Sequence, residues 1–236
     1  MILNLISGPR NISTAMMYSF AQRSDTTVLD EPFYAVYLEK SGALHPGRDE
    51  VLKSQSTSED VVRSMIVNHT TSPVLFIKNM AHHMEVMEKP FFDNSVNIFL
   101  IRNPKQIIAS YAQVIEKPVM RDIGIEYQSK LFEQLARENN KVIVLDTGRV
   151  LQNPETVLKK LCDAAGIPFE SSMLHWKKGP KPYDGVWASH WYTNVHNSTG
   201  FEKQNTSERV LPAHLQTLYE QARGYYEKLL PFSLKA

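Results

Sequence analysis

A single cysteine in 236 residues leaves no partner for an intramolecular disulfide and no Cys-x-x-Cys pair for a metal. That residue, Cys162, sits between apolar neighbours in the stretch Thr156–Ala165 and reads as a buried structural thiol. Long apolar runs are missing too: none approaches the roughly 18 residues of a membrane-spanning helix. The opening Met1–Ser7 has no basic segment ahead of a short apolar run, so no secretory signal is predicted and a soluble, cytoplasmic setting is expected. Neither sign of charge dominates, with 26 basic and 25 acidic side chains and a formal net charge of +1. Nucleic-acid or membrane-surface binding is therefore not expected as the main activity. Internal repeats and low-complexity tracts are absent.

What the chain does contain is a set of short, unbroken apolar runs: Ile2–Ile6, Thr27–Asp30, Val74–Lys78, Val96–Ile101 and Val142–Leu145. Continuous rather than alternating hydrophobicity marks strands covered on both faces, as in a parallel sheet. Helical periodicity lies between them at Ser13–Arg23, Glu59–Asn68, Ala81–Glu88, Pro104–Glu116 and Ile123–Arg137, then at Pro154–Ala165 and Ala213–Leu230. Alternating strands and helices predict an α/β fold, three layers α/β/α around a central parallel sheet of about five strands. The length suits one domain over 1–236. Two poorly patterned segments, Gly42–Ser58 and Lys177–Ser207, are long enough to be functional loops or lids.

In open parallel sheets ligands bind beyond the carboxyl ends of the strands. The first run is followed by Ser7–Thr14 (Ser-Gly-Pro-Arg-Asn-Ile-Ser-Thr), the second by Glu31-Pro32-Phe33. The third ends in Lys78-Asn79-Met80-Ala81-His82-His83, and the fourth leads to Arg102-Asn103-Pro104 with Ser110 in the next helix. Cations, hydroxyls and a carboxylate thus converge on one rim. The first loop, with free N–H groups at a helix start beside Arg10, is a natural anion cradle. Read alone, Ser13 is equally a helix-start residue and Arg10 a solvated charge. Asn103 and Pro104 are strong helix-start residues, and Ser110, seven residues after Asn103, returns to the same helical face. Arg102 and Ser110 together suit a phosphate; singly, one is a surface charge and the other a small packing residue.

These residues resemble the sulfotransferases that use 3′-phosphoadenylyl sulfate (PAPS). The family's phosphosulfate loop matches Pro9-Arg10-Asn11-Ile12-Ser13-Thr14, and its arginine with a serine eight positions on matches Arg102 and Ser110 within Phe99–Pro104. Val142–Asp146, Pro154-Glu155 and Leu161–Pro168 are similar to the family's later strand, helix start and helix exit. The resemblance runs in order from residue 2 to about 170. It implies a P-loop NTPase-like topology and PAPS as co-substrate. Arg10, Asn11, Ile12, Ser13 and Thr14 would then bind the 5′ end of the donor, and Arg102 and Ser110 its 3′-phosphate. The basic stretch Trp176–Lys181 is similar to the loop covering that phosphate and makes Lys178 a further candidate; as sequence alone it is a solvated charge cluster. Ile12 stands where the family has glycine, so the loop must take a conformation open to a β-branched residue.

By the same resemblance Glu31 is the candidate base, with His82 or His83 as alternatives, and Arg10 and Lys78 neutralise charge on the leaving phosphate. Trp187, Trp191 and Tyr192 either line an acceptor pocket or anchor their loop. A small-molecule acceptor carrying a hydroxyl or amine is expected, and no metal is implied. Two other readings remain: a P-loop-like kinase, although the Gly-Lys-Ser/Thr ending of its loop is absent, and a sulfotransferase-like domain that binds without turnover.

Overall fold

The computed structural model describes residues 1–87, 92–112, 117–202 and 210–236. The five apolar runs form β1 (Ile2–Ser7), β2 (Thr26–Asp30), β3 (Val74–Met80), β4 (Ser95–Ile101) and β5 (Val142–Asp146). They make one all-parallel sheet in the order β2-β3-β1-β4-β5.

Each strand is covered on both sides, as the unbroken apolar runs require. Leu3 and Leu5 of β1 pack with Met16 and Phe20 of helix Ser13–Phe20 and Leu158 of helix Pro154–Ala165. Ile6, one residue on, faces the other layer, with Ile66 of helix Glu59–Val67, Ile108 of helix Pro104–Tyr111 and Leu135 of helix Ile125–Arg137. Burying one such side chain stabilises the fold by about 1.5–3 kcal/mol. The sheet interior also carries asparagines that link its strands. Asn79 Nδ2 donates to Asn4 Oδ1 at 2.8 Å and Asn4 Nδ2 to Asn97 Oδ1 at 3.0 Å, linking β3, β1 and β4.

The chain leaves β1 into one helical layer and β4 into the other. Adjacent strands with diverging crossovers open a crevice at their carboxyl ends, the place where ligands bind in such sheets. Asn11 Nδ2 (3.0 Å) and Gln128 Nε2 (3.2 Å) both donate to the Leu100 carbonyl there, and Gln128 also donates to Ile6 at 2.8 Å. A third apolar cluster roofs the rim, where Tyr34, Leu38 and Val51 meet Trp187, Ala188 and Tyr192.

Several expectations shift in detail. The first helix ends at Phe20 rather than Arg23. Gly124, at φ 74°, breaks the expected Ile123–Arg137 helix into Met120–Ile123 and Ile125–Arg137. Helices Tyr34–Ser41 and Thr147–Gln152 went unread because segments of two turns or fewer show too little periodicity. Gly42–Ser58 contains helix Arg48–Ser54, and the late segment holds single turns at Ala188–Trp191 and Thr193–His196. Helix Ala81–Met84 is shorter than expected; the expected ends at Glu88 and Glu116, and residues 203–207 of the late segment, lie outside the described residues. The last helix is Gln216–Leu229 after a 3₁₀ turn. Cys162 is fully buried, and burial pushes its thiol up to about 11, so it packs rather than reacts.

Gly8 is where the sheet, the first loop and the Met120–Gly124 turn come closest. A Cβ there would stand 2.3 Å from the Ile123 carbonyl oxygen, a backbone atom that cannot swing aside. Gly8→Ala is expected to destabilise the protein by about 1–3 kcal/mol, as overpacking does, measured as a lowered urea midpoint at unchanged slope.

Candidate active site

A cavity of about 640 Å³ opens over the carboxyl ends of the strands. Its walls include loop residues Pro9–Ala15, then Arg102 and Ser110, and on the other side Glu31, Lys78, His82 and His83. Tyr34, Tyr111, Trp187 and Trp191 add aromatic surface. All the rim residues expected from the sequence therefore meet in one space except Lys178, which is exposed and not part of the lining.

The first loop resolves the question raised by Ile12. Isoleucine sits at φ −94°, an ordinary value, and Arg10 takes the left-handed conformation instead, at φ 54°. Asn11 clamps the bend: besides its bond to Leu100, its Oδ1 accepts from the Ile12 N–H at 3.0 Å and from the Thr147 hydroxyl. Arg10 Nε donates to Ser110 Oγ at 3.0 Å, while Arg102 Nη1 donates to the Arg10 carbonyl at 2.8 Å and its Nε to Gln106 Oε1 at 3.0 Å. The Arg102–Ser110 pair is thus a triad with Arg10 between its members. Among the described residues the N–H groups of Ser13, Thr14 and Ala15 have no acceptor, since the first helical bond is Met16 N–H to the Ile12 carbonyl at 2.9 Å. Donor-only amides at a helix start, flanked by guanidinium groups, suit an anion with several acceptor oxygens.

Across the cavity the chemistry changes. Lys78 is 1 % exposed, and its ammonium donates to Asp30 Oδ1 at 2.9 Å, to Glu31 Oε1 and to the Tyr192 hydroxyl at 2.7 Å. Glu31 also holds a left-handed backbone, φ 43°, fixed by its N–H to the Lys78 carbonyl (2.8 Å) and by Gln55 Nε2 to its own carbonyl (3.1 Å). Burial raises the Glu31 carboxyl; the Lys78 charge opposes this and the Asp30 charge adds to it, so that it reaches about 7. Burial, with the nearby His45 and Arg121, pushes His82 down to about 3. His83 lies well below its usual range, mainly through burial, and its ring stacks on Tyr34 and Tyr37 with centroids 4.4 and 4.7 Å away. Both imidazoles are neutral near pH 7, whereas the Glu31 carboxyl changes charge near that pH.

Asp30, Tyr34, Gln55, Tyr111 and Thr147 were missed in the sequence. Asp30 had a legible signal, a carboxylate closing an apolar strand; Tyr34, Tyr111 and Thr147 sit in short helices and Gln55 just after one, with no motif. Trp187, Trp191 and Tyr192 line the cavity and also pack into the apolar cluster over it.

A family model described as sulfotransferase domain matches residues 1–229. The chain belongs to the sulfotransferase domain family. Solved sulfotransferase domains share its fold. The domain from the Synechococcus PCC 7002 olefin synthase is 18% identical, with a TM-score of 0.61 over 96% of this chain and 94% of that one. The sulfotransferase from Alicyclobacillus acidocaldarius is 12% identical, with a TM-score of 0.56 over 99% of this chain and 97% of that one. The branched-chain-amino-acid aminotransferase-like protein 1 of Arabidopsis thaliana is 36% identical over 230 residues, which are 97% of this chain and 41% of that protein. The sulfotransferase domain thus spans less than half the length of that relative.

The raised Glu31 carboxyl has a consequence for stability. Its folded value, about 7, lies above the ordinary 4.5, so between these values the folded state holds the extra proton. Stability from this group is therefore full below about 4.5 and declines as pH rises toward 7. The stability of the wild type relative to Glu31→Gln is expected to fall with rising pH across that window, read from urea midpoints at several pH values.

Proposed function

We propose that this sulfotransferase domain transfers a sulfuryl group from PAPS to a hydroxyl or amine of a small-molecule acceptor, in a cytoplasmic setting. The observation that carries the reading is that open helix-start amides beside guanidinium groups and a buried carboxyl face each other across one cavity. Arg10 and the open N–H groups of Ser13–Ala15 bind the 5′ phosphosulfate. Arg102 and Ser110 take the 3′-phosphate, and the aromatic side chains line the acceptor half. Glu31 accepts the proton of the acceptor O–H or N–H as that atom attacks sulfur in line. The bond from sulfur to the bridging oxygen breaks, and 3′,5′-adenosine diphosphate leaves, its charge balanced by Arg10 and the helix amides. Neither Lys178 nor a metal has a role in this reading.

Binding separates it from the kinase reading. Thermal shift is expected to show stabilisation by 3′,5′-adenosine diphosphate and not by ATP with magnesium; stabilisation by ATP-magnesium alone would overturn the assignment. Arg102→Ala is expected to weaken 3′,5′-adenosine diphosphate binding about 10-fold, the scale of one charged hydrogen bond. Glu31→Gln is expected to keep that binding and lower transfer of labelled sulfate by about 10²-fold or more, as for loss of a general base. Transfer absent from the wild type across hydroxyl and amine acceptors would favour a binding module.

A further inference from the structure

Lys78, Asp30 and Glu31 bring two consecutive carboxylates to one buried ammonium. Successive residues of a strand point to opposite faces, so this convergence needs a special backbone. The left-handed φ of 43° at Glu31 provides it, turning the second carboxylate back toward the amine that the first one holds. Gln55 keeps the turn in place, because its Nε2 holds the Glu31 carbonyl while its Oε1 accepts the Ala35 N–H at 3.1 Å.

The two carboxylates are not equivalent. An ammonium has three N–H donors, and those of Lys78 reach Asp30, Glu31 and Tyr192. The Tyr192 hydroxyl is equally saturated: it accepts from Lys78 and from Trp187 Nε1 at 3.1 Å, and donates to the Asp30 carboxylate at 2.8 Å. Asp30 also accepts the Gly185 N–H on Oδ2 at 3.0 Å. Three donors therefore converge on the Asp30 carboxylate. Glu31 accepts from Lys78 on Oε1, while Oε2 lies 3.6 Å from His83 Nδ1, beyond hydrogen-bond range. One ammonium offsets one carboxylate; ionising the second leaves net negative charge in a buried site.

We propose that Asp30 and Tyr192 are positioning residues that hold Lys78 as a saturated counter-ion, which makes Glu31 the carboxyl of the pair that takes up and releases the proton. This deepens the assignment of Glu31 as base and rests on it only for its catalytic consequence. The groups facing Glu31 are Asp30 from β2, Lys78 from β3, His83 from helix Ala81–Met84, Tyr34 from helix Tyr34–Ser41 and Tyr192 from the late segment. Its two histidine and tyrosine neighbours on the helices are neutral near pH 7, since burial lowers His83 and raises Tyr34. Lys78 and Asp30 are thus the charges that set its proton affinity. Because Tyr192, Trp187 and Gly185 come from the late segment, that segment tunes the base as well as roofing the cavity.

Carboxyl-carbon NMR on protein labelled in its Asp and Glu side chains tests this without any turnover, with Glu31→Gln and Asp30→Asn assigning the two signals. In the wild type the Glu31 signal is expected to titrate near pH 7. In Asp30→Asn the Glu31 midpoint is expected to fall by about one unit or more, since Lys78 then serves a single carboxylate. In Tyr192→Phe the Glu31 midpoint is expected to rise, because the Tyr192 hydroxyl favours the charged form of Glu31. Titration of Asp30 near neutrality with Glu31 ionised, or an unmoved Glu31 midpoint in Asp30→Asn, would overturn the proposal. Should Asp30→Asn not fold, the wild-type and Tyr192→Phe titrations decide. Absence of sulfate transfer alongside the expected titrations would remove the proposed activity and leave this inference standing.

Discussion

The Lys78 ammonium stands at the end of β3 with 1 % of its surface exposed, and a charge placed so deep persists only if its partners replace the water it has lost. Those partners come from two places in the chain: Asp30 closing β2 with Glu31 just beyond it, and Tyr192 more than a hundred residues later. Removing one partner from such a buried pair costs about 3–5 kcal/mol. The same contacts draw the late segment over the rim, so that Trp187 and Tyr192 complete an apolar roof with Tyr34 and Leu38. One desolvated cation thereby ties the sheet edge, the roof and the candidate base together.

The opposite wall of the cavity follows a different logic. There backbone amides and guanidinium groups supply the donors, and other side chains hold the loop in place. Asn11 and Gln128 occupy the carbonyls at the parting of β1 and β4, and Arg102 grips the carbonyl of Arg10. The loop then has the shape that exposes the amides of Ser13–Ala15 without a glycine at position 12. Left-handed φ values at Arg10 and Glu31, both non-glycine and both lining the cavity, mark the two places where local backbone preference yields to the site. A wall of helix-start amides and guanidinium groups facing a buried carboxyl suits the proposed group transfer, in which the reacting groups must be positioned before charge develops between them.

Family membership and the solved relatives agree with this architecture at the level of fold. The 36% identical plant relative carries its matching segment within a much longer chain, so a domain of this kind is found joined to other sequence.

The apolar runs by themselves determined the five parallel strands, because burial on both faces leaves an unbroken local signature, and strand ends are where loop residues must gather. Arg10, Glu31, Lys78, His82 and Arg102 were legible for that reason, each lying near a strand end or beginning the next helix, and Ser110, late in helix Pro104–Tyr111, from its spacing to Arg102. The short helices Tyr34–Ser41, Arg48–Ser54 and Thr147–Gln152 were not, because two turns carry little periodicity and their stability comes from the tertiary surfaces they cover. Only the tertiary structure decided which residue of the first loop takes the left-handed turn, that Lys178 stays outside the cavity, and that Lys78 faces two carboxylates and a tyrosine. Those outcomes depend on desolvation and on donors arriving from distant segments, and neither is written in the spacing of neighbouring residues.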